Sequence, residues 1–169
     1  MAKCSGHVER GTASSRLKTD DEMLNLLHDP EVYASIRKRM QSLRVDTQRQ
    51  WGKMSIDQML WHVNVSMREA VGDYTPQLKP LPVPKALFRW AVINIPWGRG
   101  ARTRPDMYAM STYDFNAQKA ECLSLIDRIV ARPLSTQWPN SASMGRMTGK
   151  HWSQLTAKHL DHHLRQFGV

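Results

Sequence analysis

Apolar residues recur at helical spacing along most of the chain, and no segment shows the alternation typical of a β-hairpin. In the first such segment Val32, Ile36, Met40 and Leu43 fall on one side of a helix. The pattern predicts long helices over about 30–44, 55–71, 114–131 and 149–167, and a short one over about 85–94. Four amphipathic helices of similar length, joined by long connections, predict an all-α protein built as a four-helix bundle.

Capping residues support these helix boundaries. Asp29 followed by Pro30 is a common helix start, because the carboxylate accepts from free amides and proline is tolerated at the first helical position. Ser55 with Gln58 three residues later predicts a capping box at the second helix. Thr148 is the predicted cap of the last helix.

The remaining segments are connections. Four prolines between residues 73 and 84 indicate an extended connection, and residues 97–105 form a basic loop. Residues 1 to about 20 are rich in Ser, Gly, Thr and Lys, which predicts a flexible N-terminal tail. Residues 21–169 then form a single domain, since the chain is 41% hydrophobic and long enough for one core.

Cysteine usage and hydropathy suggest a soluble cytoplasmic protein. Cys4 and Cys122 are far apart and neither belongs to a CxxC motif, which argues against a disulfide framework and a Cys-rich zinc site and favours a reducing compartment. The N-terminus lacks an apolar signal-peptide core. The longest apolar stretch, residues 86–97, is too short to span a bilayer and is interrupted by Arg89 and Pro96, so we expect no membrane partner.

The formal net charge of +9 favours anionic partners, but the basic residues are dispersed. One group lies at residues 37–44, and another comprises Arg99, Arg102 and Arg104. No recognition helix or RNA-binding signature accompanies them. A solvated basic surface is therefore a better interpretation than a nucleic-acid site.

Two histidines of the last helix are the strongest functional signal. His159 and His163 are four residues apart, and at 100 degrees per residue they share a sector of about 120 degrees with Trp152, Leu155 and Phe167. The apolar members indicate that this sector faces inward. A divalent metal can bind such a pair if a third ligand comes from elsewhere, and His62, which borders the apolar stripe of the second helix, is a candidate.

An ordinary structural role for these histidines is the alternative. Seven histidines in the chain make one HxxxH spacing unsurprising, and a core imidazole can simply bond a backbone carbonyl. Three neutral imidazoles together would leave a fourth coordination position open, as in catalytic rather than structural sites. Gln166 is the candidate cofactor-binding residue, predicted to hydrogen-bond a metal ligand or a metal-bound water. Glu69 or Asp161 is a candidate to orient an imidazole.

Two stretches resemble a branch of the DinB/YfiT-like superfamily whose function is unknown. The first is QWGKMSIDQMLWH at residues 50–62, and the second is HLDHHLRQFG at residues 159–168, preceded by MGRMT at 144–148 and by Trp152. The resemblance covers about residues 22–169, and the HLDHHLRQFG ending is its most specific part. The long basic segment from Pro76 to Pro105 departs from the superfamily's pattern.

The resemblance implies an up-down-down-up four-helix bundle with a metal, commonly zinc or nickel, held by three histidines. Carried over by position, the ligands are His62 from the second helix and His159 and His163 from the last. Related proteins include transferases and isomerases that use bacillithiol, mycothiol or glutathione, and others have no known activity. Many are homodimers.

Three functions follow as hypotheses. The first is a metal-dependent thiol S-transferase, isomerase or hydrolase acting on a small molecule, with Arg99, Arg102 and Arg104 receiving carboxylates of thiol or substrate. The second is a non-catalytic bundle that binds a metal or another ligand. The third, less favoured, is a basic module that contacts nucleic acid.

Overall fold

The computed structural model describes residues 26–78, 82–101 and 103–169, and over these residues the chain is all-helical, as predicted. Its helices are α1 (Pro30–Ser42), α2 (Ile56–Val71), α3 (Lys85–Asn94), α4 (Phe115–Ala131) and α5 (Gly149–Gln166), with a short 3-10 helix at Pro105–Met107. None of these helices is both long and apolar enough to cross a membrane. The predicted N-terminal tail, residues 1–20, lies outside the described residues.

The predicted capping residues begin the helices. The Asp29 carboxylate accepts from the amide of Glu31 at 3.0 Å, and Pro30 opens α1. At α2 the Gln58 side chain accepts from the backbone amide of Ser55 at 3.1 Å, which is the reciprocal half of a capping box. Thr148 caps α5.

Two predicted helix ends are wrong by one or two residues. α1 ends at Ser42 rather than 44, because Leu43 adopts an extended backbone with φ −61° and ψ 138°. The ammonium of Lys119 donates to the carbonyls of Gln41 and Leu43 at 2.6 and 2.7 Å, so a side chain from α4 replaces the next helical turn. α5 ends at Gln166, one residue before the predicted end.

The core lies between four of the helices, and α3 lies beside it. α2 packs mainly on α4, and α1 packs on α4 and α5, whereas α3 contacts α5. No residue of α3 is fully buried. The short α3 therefore covers the side of α5, and a cavity separates part of it from the core.

Candidate metal centre

Three buried imidazoles converge where α2 faces α5. The ring centroids of His62, His159 and His163 are 4.8–4.9 Å apart in every pairing. One potential ligand atom from each lies within 4.8 Å of the others, and Nε2 of His62 is 3.0 Å from Nε2 of His159. The structure thus brings together the trio that the sequence predicts, because residues 159 and 163 are one turn apart on the inner face of α5.

The outer nitrogen of His62 is held by the backbone. Nδ1 of His62 lies 3.0 Å from the carbonyl oxygen of Met107, in the 3-10 helix. A carbonyl oxygen only accepts, so Nδ1 carries the proton and Nε2 keeps its lone pair. This is the usual arrangement for a histidine that binds a metal.

His163 is held by a chain of two hydrogen bonds. Oε1 of Gln166 lies 2.7 Å from Nδ1 of His163, and the Gln166 amide nitrogen donates to the carbonyl of Trp51 at 2.9 Å. The Trp51 carbonyl fixes the orientation of the amide, which makes Nδ1 of His163 the donor and leaves its Nε2 unprotonated. Gln166 thus hydrogen-bonds one of the predicted metal ligands, which is one of its two predicted roles. Its direct contact with a bound cofactor stays a prediction.

A glycine makes room for this bond. Gly52 has φ +82°, and a Cβ built on it would collide with the side-chain amide of Gln166. Only glycine therefore combines this left-handed backbone with such a close approach. Gly52 belongs to the QWG motif of the resemblance, and its position gives that motif a physical role.

Burial keeps the three imidazoles neutral. Loss of solvent is the largest cause that lowers the pKa of His62, of His159 and of His163, in the last case to about 3. For His159, the pKa falls well below its ordinary value, helped by the nearby His163 and His62. Neutral imidazoles are the form that binds metals, so near pH 7 the cluster needs no proton removed from these groups.

A cavity of about 440 Å³ borders all three rings. Trp97 forms part of its wall, with its ring 5.5 Å from His159 and 5.8 Å from the half-buried His162. The volume is in the range of pockets that hold small organic ligands. The imidazoles therefore face a space that a small molecule can enter.

The two carboxylates expected to orient an imidazole form ion pairs with arginines instead. Glu69 pairs with Arg104 at 2.7 Å and also accepts from the Ser141 hydroxyl and the Ala142 amide, both at 2.9 Å. Asp161 pairs with Arg39 at 2.8 Å. That expectation was wrong, and the Met107 carbonyl and the Gln166 amide orient the rings instead.

The three arginines of the basic loop have different positions. Arg99 is exposed and stacks over Trp51, with 4.9 Å from its guanidinium carbon to the ring centroid. The centroid of the Trp51 ring lies 6.2 Å from that of His162, which borders the cavity, so one aromatic ring separates Arg99 from a side chain that lines the cavity. Arg104 borders the cavity but is engaged by Glu69, and Arg102 lies outside the described residues.

Sequence reasoning missed Trp97 and Met107 as parts of the site. Both lie on connections, where no periodic pattern indicates which side chain faces inward. Trp51 was within a quoted motif, but its carbonyl is what binds Gln166, and a backbone contact leaves no signal in residue type. His151 stays outside the cluster, and its Nδ1 accepts from the Thr148 amide at 3.2 Å.

The comparison with protein families covers nearly all of this structure. A family model described as a protein of unknown function, DUF1569, matches residues 27–168. The chain belongs to the DUF1569 family. No curated protein and no solved structure was found to match this DUF1569 chain. The matched range contains every residue of the histidine cluster and its hydrogen-bond partners.

Proposed function

We propose that this DUF1569 protein binds one divalent metal ion through His62, His159 and His163. The observation that carries the proposal is the convergence of three buried, neutral imidazoles beside a cavity. Two of them have their outer nitrogens engaged by Met107 and Gln166, which leaves the inner lone pairs for an ion. A set of three nitrogen donors suits zinc or nickel.

The same cavity supports a proposal about chemistry. A divalent ion on three ligands supplies Lewis acidity and favours the deprotonated form of a thiol or water beside it. We propose a metal-dependent S-transferase, isomerase or hydrolase that uses a low-molecular-weight thiol. Arg99, exposed near the cluster, would bind a carboxylate of the thiol, and the cavity would hold the second substrate away from water.

The narrower fold assignment belongs to the same proposal. The resemblance to DinB-like proteins implies that α1, α2, α4 and α5 form an up-down-down-up bundle, with α3 in the connection between α2 and α4. The packing of α2 on α4, and of α1 on α4 and α5, supports this arrangement. Homodimerisation, which the resemblance also implies, is part of the proposal.

Thiol-dependent turnover by the metal-loaded protein tests the chemistry. Glutathione, mycothiol and bacillithiol are each supplied with 1-chloro-2,4-dinitrobenzene or a maleimide, and consumption of the electrophile is followed. We expect turnover that a chelator removes, that His62→Ala abolishes and that His151→Ala retains. If H62A keeps both metal and full activity, the proposal is wrong. Stoichiometric metal without turnover with any thiol would instead identify a non-catalytic binding protein.

A further inference from the structure

One face of α3 forms an apolar wall of the cavity. Phe88, Ala91 and Val92 of α3 border the cavity, as does Ile95, which follows the end of the helix and is 49% exposed. Leu87, on the same helix, is 56% exposed and is not among the residues that line the cavity. The helix thus presents a continuous strip of hydrocarbon to the ligand space.

The other walls near the histidines are also largely apolar. Met54 from the segment before α2, Met107 and Met144 from connections, and Leu155 from α5 border the same cavity. Methionine side chains adapt to irregular shapes, so this lining fits apolar bodies of more than one shape.

Both charged side chains among the described lining residues are already neutralised. Glu69 is 4% exposed and Arg104 17%, and they pair at 2.7 Å. Arg104 also contacts Asp106 at 3.0 Å, so two carboxylates surround one guanidinium. Away from the histidines, a charged ligand would lose its hydration and find no unpaired counter-charge among the described lining residues without breaking this buried ion pair, which is costly.

From this lining we infer that the small molecule held in the cavity is uncharged and has an apolar, ring-sized body. The inference rests on the proposed function in one respect: it identifies this molecule as the electrophile that reacts with the thiol. The thiol, with its carboxylates, then stays near Arg99, whose exposed guanidinium stacks on Trp51. The uncharged electrophile and the charged thiol therefore occupy different parts of the site.

Two fluorescent probes with one ring skeleton test the inference. N-phenyl-1-naphthylamine is uncharged, and 8-anilinonaphthalene-1-sulfonate adds an anionic group to the same rings. Each is titrated into the metal-depleted full chain, so that neither result depends on metal. We expect the uncharged probe to bind with one-to-one stoichiometry and at least about tenfold tighter than the sulfonate, since the anion loses hydration without gaining a partner.

Paired variants on α3 locate the binding. Phe88→Ala removes a lining ring and should weaken the uncharged probe about fivefold or more, whereas Leu87→Ala, on the exposed face, should leave it unchanged. Ala91→Phe fills the cavity and should weaken the probe as well, which covers the case that F88A misfolds. The inference would be overturned if the sulfonate bound as tightly as the uncharged probe, or tighter, and lost affinity in F88A. It would also be overturned if the affinity for the uncharged probe in F88A or A91F equalled that in L87A.

Metal retained by parallel samples, measured after exposure to zinc or nickel and gel filtration, separates the two ideas. A chain that selects the uncharged probe but takes up no metal would refute the proposed function and retain the apolar ligand class. A chain that retains metal but binds both probes equally well would refute the apolar ligand class and leave the proposed function standing.

Discussion

Gln166 holds His163 in one tautomer, with Oε1 of the amide 2.7 Å from Nδ1 of the ring. Rotating the amide by 180° would break both hydrogen bonds, because its nitrogen donates to the carbonyl of Trp51 at 2.9 Å. The connection before α2 thereby sets the protonation of a candidate ligand on α5. This relationship gives the first test of the site that leaves all three histidines in place.

Replacing Gln166 by leucine should weaken metal binding by about 10- to 100-fold, because His163 loses the acceptor that orients it. The affinity is measured by competition with a chelator of known strength. Gln154→Leu is the matched control, since Gln154 is also buried on α5 but does not border the cavity. Equal affinities of Q166L and the wild type would show that this hydrogen bond does not support a metal.

Gly52→Ala should weaken metal binding by a similar factor, since the added Cβ displaces the Gln166 amide. Gly72→Ala controls for backbone strain: Gly72 has φ +93°, at the end of α2, and a Cβ there meets only Pro139, at 3.3 Å. Both variants should lose about 1 kcal/mol or more of unfolding free energy, because alanine is disfavoured at positive φ. Only G52A should lose metal affinity, and an equal loss in G72A would contradict the account.

The sequence predicted most of the fold because its signals are local. Asp29 and Thr148 cap helices through amides two or three residues away, and such contacts leave a pattern in residue type. The end of α1 was missed because it depends on Lys119, more than seventy residues distant, which donates to its last carbonyls.

The same distinction applies to the site. His159 and His163 could be paired from their spacing alone. His62 was only a candidate from its position beside an apolar stripe, and the family resemblance assigned it as a ligand. Met107 lies 45 residues from His62 and acts through its carbonyl, so nothing in its side chain indicates the role. Trp97 lies on a connection whose path the sequence pattern does not determine.

Breaking the buried Glu69–Arg104 pair should cost far more than breaking an exposed one. Glu69→Gln removes one of the two carboxylates on Arg104 and leaves Asp106 as its partner, so we expect the free energy of unfolding to fall by about 2–3 kcal/mol. Asp73→Asn breaks a pair with Arg128 of similar geometry, at 2.6 Å, but both side chains are nearly half exposed, and a loss below about 1 kcal/mol is expected. Denaturant unfolding of both variants measures the difference. Equal losses would contradict the assignment of Glu69 as a buried structural charge.

The metal-free protein should lose stability as the pH falls from 7 to 5. Unfolded imidazoles bind protons below about pH 6.5, whereas burial keeps the pKa of His163 near about 3 and that of His159 well below its ordinary value. The unfolded chain then binds more protons, and each such group contributes up to about 1.4 kcal/mol per pH unit. The contribution of these imidazoles should be constant above about pH 7.5, where they are neutral in both states.

Chemical unfolding at several pH values in the presence of chelator measures this dependence. In His163→Leu the loss between pH 7 and 5 should be smaller than in the wild type, because one depressed group has been removed. A flat wild-type profile over this range would show that the imidazoles are not held neutral by burial.

Elemental analysis of the purified chain, after exposure to zinc or nickel and gel filtration, tests the metal centre most directly. The wild type and His151→Ala should each retain one equivalent of metal, because His151 lies on the same helix but bonds the Thr148 amide outside the cluster. His159→Ala should retain almost none. A wild type that binds no metal, or an H159A variant that binds as much as H151A, would contradict the account and leave the three imidazoles as ordinary core residues.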